Sequence, residues 1–318
     1  RPGARAYQPE EYAAHVHERI YEVLASRPFV WGTYVWAMFD FGSGIRNEGD
    51  LRGVNTKGLV TFDRKTRKDP FYFYKANWTT GPVTHIVGRR YADRAYATID
   101  VKVYSNADRV ALLVNGAPAG TLASSECPFR TCVFRNVALR PGRNVVVARG
   151  TGGAAASSDE VEWTSPRGTD VNVAAGQIAT GLRTSDGRRY GSDNFFIGGE
   201  GRKVVQRAFR AAGDITPISG LAAPAEEQLY ATYRAGRFRY DIPLPNGDYR
   251  VVLGFVEPEA TTKVGERLFD VEANGTKVIT GLDVLGESGA YRTVLTRTLR
   301  VGVSEGRLAL SFTPTTGE

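Results

Sequence analysis

Along residues 8–26 (QPEEYAAHVHERIYEVLAS) the apolar side chains fall at Tyr12, Val16, Ile20, Val23 and Leu24, a spacing close to one helical turn. That spacing predicts an amphipathic helix, with Glu10 and Glu11 in its first turn and Arg27-Pro28 closing it. A nearly continuous apolar run follows, Phe29 to Phe41 (FVWGTYVWAMFDF). Without alternation it reads as a strand buried on both faces, as in a parallel sheet. From about residue 83 strict alternation takes over, in 97–104 and again in 109–114 up to Asn115-Gly116, a hairpin signal. Further strands are predicted near 132–138, 143–149 and 160–164, making a small antiparallel sandwich over 83–166. Thr151 to Ser158 is a loop within it, and Ser165-Pro166-Arg167-Gly168 is a linker. A second all-β unit fills 167–318, with strands expected at 238–243, 249–256, 267–273, 291–301 and 308–312. Its hairpin signals are Asn246-Gly247 and Asn274-Gly275.

Composition adds little to this pattern. The 36 Gly and 15 Pro suit a turn-rich β protein. The net charge of +7 comes from 33 Arg and 8 Lys against 34 acidic residues. The Arg residues are scattered singly, with no stripe or tail, which argues against nucleic acid; an Arg-rich, Ala-rich coding bias accounts for them, and attraction of acidic polymers, including acidic polysaccharides, is the functional alternative. No stretch of ~18 apolar residues is present, so no membrane partner is expected.

The chemistry-bearing residues are few. Cys127 and Cys132 do not have zinc-ligand spacing; a small-loop disulfide and two separate thiols both fit. His15 and His17 point to different faces of the helix, and His85 has no partner pattern, so no metal site and no cofactor is expected. Gly198-Gly199-Glu200-Gly201 lacks the lysine of a phosphate loop and reads as a surface turn. Asn77 and Asn274 head glycosylation sequons. In 36–78, aromatic residues at the end of a buried run precede a long polar loop, an arrangement that can stack a sugar ring and bond its hydroxyls. Trp31 and Tyr34 read as core. Glu48 and Asp50 sit on a Gly-flanked loop with nothing apolar nearby to separate their pKa values, and read as solvated.

Several blocks in this region resemble the end of the catalytic barrel of glycoside hydrolase family 2, the β-galactosidase and β-glucuronidase family. They are Arg27-Pro28-Phe29-Val30-Trp31-Gly32-Thr33, Val35-Trp36-Ala37-Met38-Phe39-Asp40-Phe41, Arg46-Asn47-Glu48-Gly49-Asp50, and Asn55-Thr56-Lys57-Gly58 with the residues that follow it. Residues 83–166 resemble the immunoglobulin-like domain found after the barrel, through Val101–Asp108 and Val114-Asn115-Gly116. Residues 167–318 resemble the malectin-like carbohydrate-binding fold, through Leu229–Arg234, Phe238–Pro243 and Asn246–Tyr249. The resemblance implies a mostly β chain: the end of a (β/α)8 barrel over 1–82, an immunoglobulin-like sandwich over 83–166 and a malectin-like sandwich over 167–318.

By the same resemblance Trp36 floors the sugar pocket, and Asn55 and Lys57 offer donors at its rim to a substrate carboxylate. Tyr190, Phe195 and Tyr233 are candidates for a malectin-type sugar platform. The two catalytic Glu residues of the family lie on earlier barrel strands, so this chain alone is expected to be inactive. The implied parent is an exported, periplasmic or extracellular, retaining exo-β-glycosidase, with β-galactosides ranked first and β-glucuronides or β-galacturonides second. A non-catalytic carbohydrate-binding or spacer protein is the alternative of another class.

Overall fold

The computed structural model describes residues 10–44, 53–153, 156–168, 170–178, 182–203, 218–222 and 224–317. Glu48 and Asp50 lie outside the described residues. The chain divides into two compact units, 1–170 and 171–318. Among the described residues no helix is long and apolar enough to cross a membrane.

The first unit begins with helix α1, Glu10–Ala25. The expected helix forms, but not on the expected face: Ile20 and Val23 are exposed, while Glu10 and Ala14 are buried. The docked stripe runs Glu10, Ala14, His17 and Tyr21, three or four residues apart. The run 29–41 is not a strand. Phe29, Trp31, Tyr34 and Trp36 are 78%, 95%, 96% and 76% exposed. A strand buried on both faces needs a sheet on either side, and no sheet flanks this run among the described residues. The barrel-end strand expected within 1–82 is therefore not formed, and no barrel is present among the described residues. Pairing is confined to the end of the run, as a parallel bridge of Phe39 with Val60 and as β1 (Phe41–Gly42) against β2 (Val54–Asn55).

A second helix, α2 (Asp69–Trp78), was not visible in the pattern because Phe71-Tyr72-Phe73-Tyr74 shows no 3.6-residue period. Pro70 in its first turn suits a helix start. Phe73 and Tyr74 pack with Leu59, Ala76, Val83, Val87 and Tyr104, so the apolar core crosses the expected 82/83 boundary. The sandwich carries the sheet β3 (Thr84–Ile86), β4 (Thr98–Ser105) and β7 (Thr131–Ala138), in that order. Facing it is the four-stranded sheet of β5 (Arg109–Val114), β6 (Ala117–Ala123), β8 (Gly142–Thr151) and β9 (Ser157–Ser165), ordered β6-β5-β8-β9. All named pairs are antiparallel. Alternate side chains such as Val101, Val103, Val110, Leu112, Val146 and Trp163 are fully buried. Each contributes roughly 1.5–3 kcal/mol by leaving water.

Three ionic clusters tie α1 and α2 to the sandwich. Arg90 grips Glu10 with two nitrogens. The His85 Nε2–H donates to the Asp69 carboxylate at 2.8 Å while the ring stacks on Tyr72 at 3.8 Å. Lys102 and Tyr104 both reach Glu18. His85 was expected to stand alone and instead sits in the core, 1% exposed. Cys127 and Cys132 are joined by a disulfide. The loop it closes presents Phe129 to Tyr21 at 5.9 Å and the Phe129 carbonyl to Asn77 at 3.0 Å.

The second unit is a sandwich of two antiparallel sheets. The larger is ordered β10-β11-β16-β13-β14, from β10 (Phe196–Lys203), β11 (Thr232–Pro243), β13 (Leu268–Ala273), β14 (Thr276–Asp283) and β16 (Arg307–Thr316). The smaller pairs β12 (Gly247–Phe255) with β15 (Leu295–Val303), and a short helix α3 (Val284–Ser288) precedes β15. The core holds Tyr240, Ile242, Val271, Leu308, Leu310 and Phe312. Gly198 to Gly201 is not a free turn: it lies within β10, where a bulge between Gly198 and Glu200 lets two left-handed glycines pass β11.

Candidate functional site

The residues around Trp36 are brought together by backbone stitching. The Leu59 N–H donates to the Ala37 carbonyl at 3.0 Å, Val60 N–H to Met38 at 2.9 Å, and Asp40 N–H to Val60 at 2.9 Å. Segment 37–40 therefore lies beside 58–60, and the Asn55-Thr56-Lys57-Gly58 motif lies next to the segment that carries Trp36. Gly58 is what permits this. A Cβ there would come within 2.0 Å of the Asp40 nitrogen and 2.1 Å of the Phe39 carbonyl carbon. No larger residue fits that approach.

Asp40 is the hub of this arrangement. One of its carboxylate oxygens accepts the Gly58 N–H at 2.9 Å and the Lys68 ammonium at 2.7 Å. Lys68 also donates to the Thr56 carbonyl at 2.8 Å. Both side chains are nearly buried, at 11% and 5% exposure for Lys68 and Asp40. This is the setting in which an ion pair holds a loop rather than floating on a surface. Lys68 came in a charge run, Arg64-Lys65-Thr66-Arg67-Lys68-Asp69, with nothing in its spacing to single it out.

Asn55 is buried, 3% exposed, and its side-chain oxygen accepts the Lys57 N–H at 3.0 Å. That turn fixes the direction of the backbone at Lys57, which is half-buried. Trp36 stands largely in solvent with its edge on Phe41, ring centroids 6.0 Å apart. Arg64 lies over the Phe39 ring at 4.1 Å and donates to the Phe62 carbonyl, closing the far side of the loop. The result is an exposed indole beside a cationic, amide-bearing loop whose backbone is rigidly held. Such a pair can stack a pyranose ring and offer donors to an anionic substituent.

The three candidates in the second unit occupy different settings. Phe195, with φ of 67°, packs against the core of the sandwich. Tyr190 is half-buried near Arg188, and burial raises its phenol. Tyr233 is half-buried among Glu259, Arg202 and Arg267, and burial raises it too. Behind them Asp193 receives Arg234 at 2.6 Å and the Tyr240 hydroxyl at 2.6 Å, a buried brace for β11. Both sequon asparagines spend their amides internally: Asn77 on Phe73 and Phe129, Asn274 on Gly302 and Ala309. Among the described residues no group of three or more His, Cys, Asp or Glu could hold a metal ion.

The malectin domain model matches residues 169–318, and a domain of unknown function, DUF4982, matches residues 97–157. Over 141 residues the chain is 43% identical to a β-glucuronidase of Bacteroides fragilis, covering 44% of this chain and 20% of that one. The chain is a relative of the glycoside hydrolase family 2 β-glucuronidases and β-galactosidases. A structure of Bacteroides uniformis β-glucuronidase 2, covalently bound to cyclophellitol-6-carboxylate aziridine, shares its fold at 24% identity and a TM-score of 0.50, over 99% of this chain and 39% of that one. An FMN-binding β-glucuronidase from Faecalibacterium prausnitzii is 44% identical, over 51% of this chain and 24% of that one, with a TM-score of 0.46. The chain spans less than half the length of each of these relatives.

Proposed function

We propose that this chain is the part of a retaining family 2 exo-β-glycosidase that supplies the outer wall of its sugar site, and that the sugar is a β-glucuronide. One observation carries the reading: Asn55-x-Lys57-Gly58 is fastened beside the Trp36 segment by Gly58, Asp40 and Lys68. Trp36 then packs on the sugar ring, and Lys57 with the Asn55 turn faces the carboxylate at C6. The names of the relatives reverse the order of substrates read from the sequence, which placed galactosides first.

In this reading the acid/base and nucleophile carboxylates, about 5–5.5 Å apart in retaining enzymes, come from elsewhere in the enzyme, and this chain contributes binding and orientation. The malectin-like unit holds an oligosaccharide or polysaccharide, with Tyr190 and Tyr233 as its half-exposed aromatic candidates. The disulfide supports an exported protein, since such bonds persist in oxidising compartments.

The test is a pair of variants in the full-length enzyme, each assayed on nitrophenyl β-glucuronide and β-galactoside. Lys57→Ala removes a charge-assisted bond worth roughly 1.5–3 kcal/mol, about 10- to 150-fold in kcat/KM on the glucuronide, and leaves the galactoside nearly unchanged. Trp36→Ala lowers both, because ring stacking does not sense the group at C6. Full glucuronide activity in Lys57→Ala contradicts the uronide reading.

A further inference from the structure

Arginines of the second unit are mostly matched to carboxylates. Arg188 meets Asp186, Arg202 meets Glu200, Arg234 meets Asp193, Arg267 meets Glu257 and Arg297 meets Glu287. Two are not. Arg250 on β12 and Arg300 on β15 are directly opposite one another in the antiparallel register. Both are exposed on the outer face of the two-stranded sheet. Neither side chain forms an ion pair or hydrogen bond among the described residues. Like charges directly opposite on one face of a sheet repel and destabilise it, so this sequence carries a standing cost with no internal compensation.

The rest of that face is mostly polar, with the Tyr230 ring lying over Gly254 at one end. Outward residues alternate along both strands, giving the cross-strand rows Asp248 with Gly302, Arg250 with Arg300, Val252 with Thr298, and Gly254 with Thr296. Val252 is 42% exposed. The opposite face of the same strands, Val251, Leu253, Phe255 and Leu299, is packed into the core, so the outer strip is held rigid from behind. Asp248 lies one row from the arginines and makes no ion pair with either.

We propose that the outer face of β12 and β15 is a binding strip for a uronate-bearing glycan, separate from Tyr190, Phe195 and Tyr233. One guanidinium fork receives the carboxylate bidentately and the other donates to its remaining lone pairs. The hydroxyls of Thr296 and Thr298 meet sugar hydroxyls, and the exposed Val252 gives a ring face an apolar contact. The anion relieves the repulsion that the bare strip bears. The choice of a uronate as the anion rests on the glucuronidase reading of the Trp36 site; the anion binding itself rests only on the arginine pair.

Calorimetric titration of the 318-residue chain with a galacturonate oligosaccharide tests this without any hydrolysis, so it succeeds or fails independently of the enzyme's substrate. Binding is expected to weaken with salt and to fall by roughly tenfold or more in Arg250→Thr/Arg300→Thr. The unliganded double variant is expected to melt no lower than the parent, because a repulsive pair has been removed. Arg250→Lys/Arg300→Lys keeps the charge without the forks and is expected to fall between the two. Equal affinity in parent and double variant, no binding by the parent, or tighter binding of a sulfated neutral-sugar oligosaccharide than of the galacturonate would each overturn the proposal.

Discussion

At the scale of single residues, Gly58 is the position on which the Trp36 site depends. Its requirement is a close approach and not a left-handed φ, because the obstacle is the backbone of Phe39 and Asp40. Gly58→Ala is expected to lower stability by about 2–4 kcal/mol, in the range of severe steric substitutions. Gly44→Ala, with nothing within 4 Å of the added carbon, is expected to change it by less than about 0.5 kcal/mol. Denaturant midpoints of the two variants check this, and equal midpoints contradict it. The motif residues Trp36, Asn55 and Lys57 were grouped by family resemblance, and the backbone bonds between 37–40 and 58–60 set their two segments side by side. The pairing of Asp40 with Lys68, which holds the group in place, was not legible, since a pairing across 28 residues leaves no local spacing to read.

At the scale of elements, alternation marked most strands of both sandwiches to within a few residues, because each has one wet and one dry face. It missed the short β3, and also β10 and β14, β6, whose Ala117-Pro118-Ala119-Gly120 start has little apolar contrast, and α2, whose four consecutive aromatics have no helical period. For α1 the period was right and the buried face was wrong, because the helix docks through ionic and aromatic contacts to α2 and the sandwich rather than through Ile20 and Val23. That docking has a pH signature. Burial, reinforced by Asp69, pushes the Glu10 carboxyl up to about 7 against the opposing pull of Arg90. Between the ordinary 4.5 and about 7 the folded state keeps a proton that the unfolded chain has released. Stability of the first unit is therefore highest near the lower end of that window and falls as pH rises through it, by roughly 3 kcal/mol at most. Glu10→Gln, neutral at every pH, is expected to flatten this part of the profile. Melting curves from pH 4.5 to 8 that run parallel in the two proteins would contradict the assignment.

At the scale of the whole molecule, the two-sandwich, mostly β architecture was readable from periodicity and turn signals. The place of residues 10–82 was not. The run 29–41 has the composition of a fully buried strand, yet it carries exposed Trp31, Tyr34 and Trp36, whereas 59–78 has a loop-like pattern and builds core with Tyr104. Periodicity reports which faces a segment can bury, and only tertiary neighbours decide whether it does. The central claim is that this chain shapes a site for a carboxylate-bearing sugar. The most direct measurement is kcat/KM of the full-length enzyme on matched β-glucuronide and β-galactoside substrates. The account expects the glucuronide to be preferred by at least roughly tenfold, the worth of one charge-assisted contact. Equal rates, or a preference for the galactoside, would contradict it.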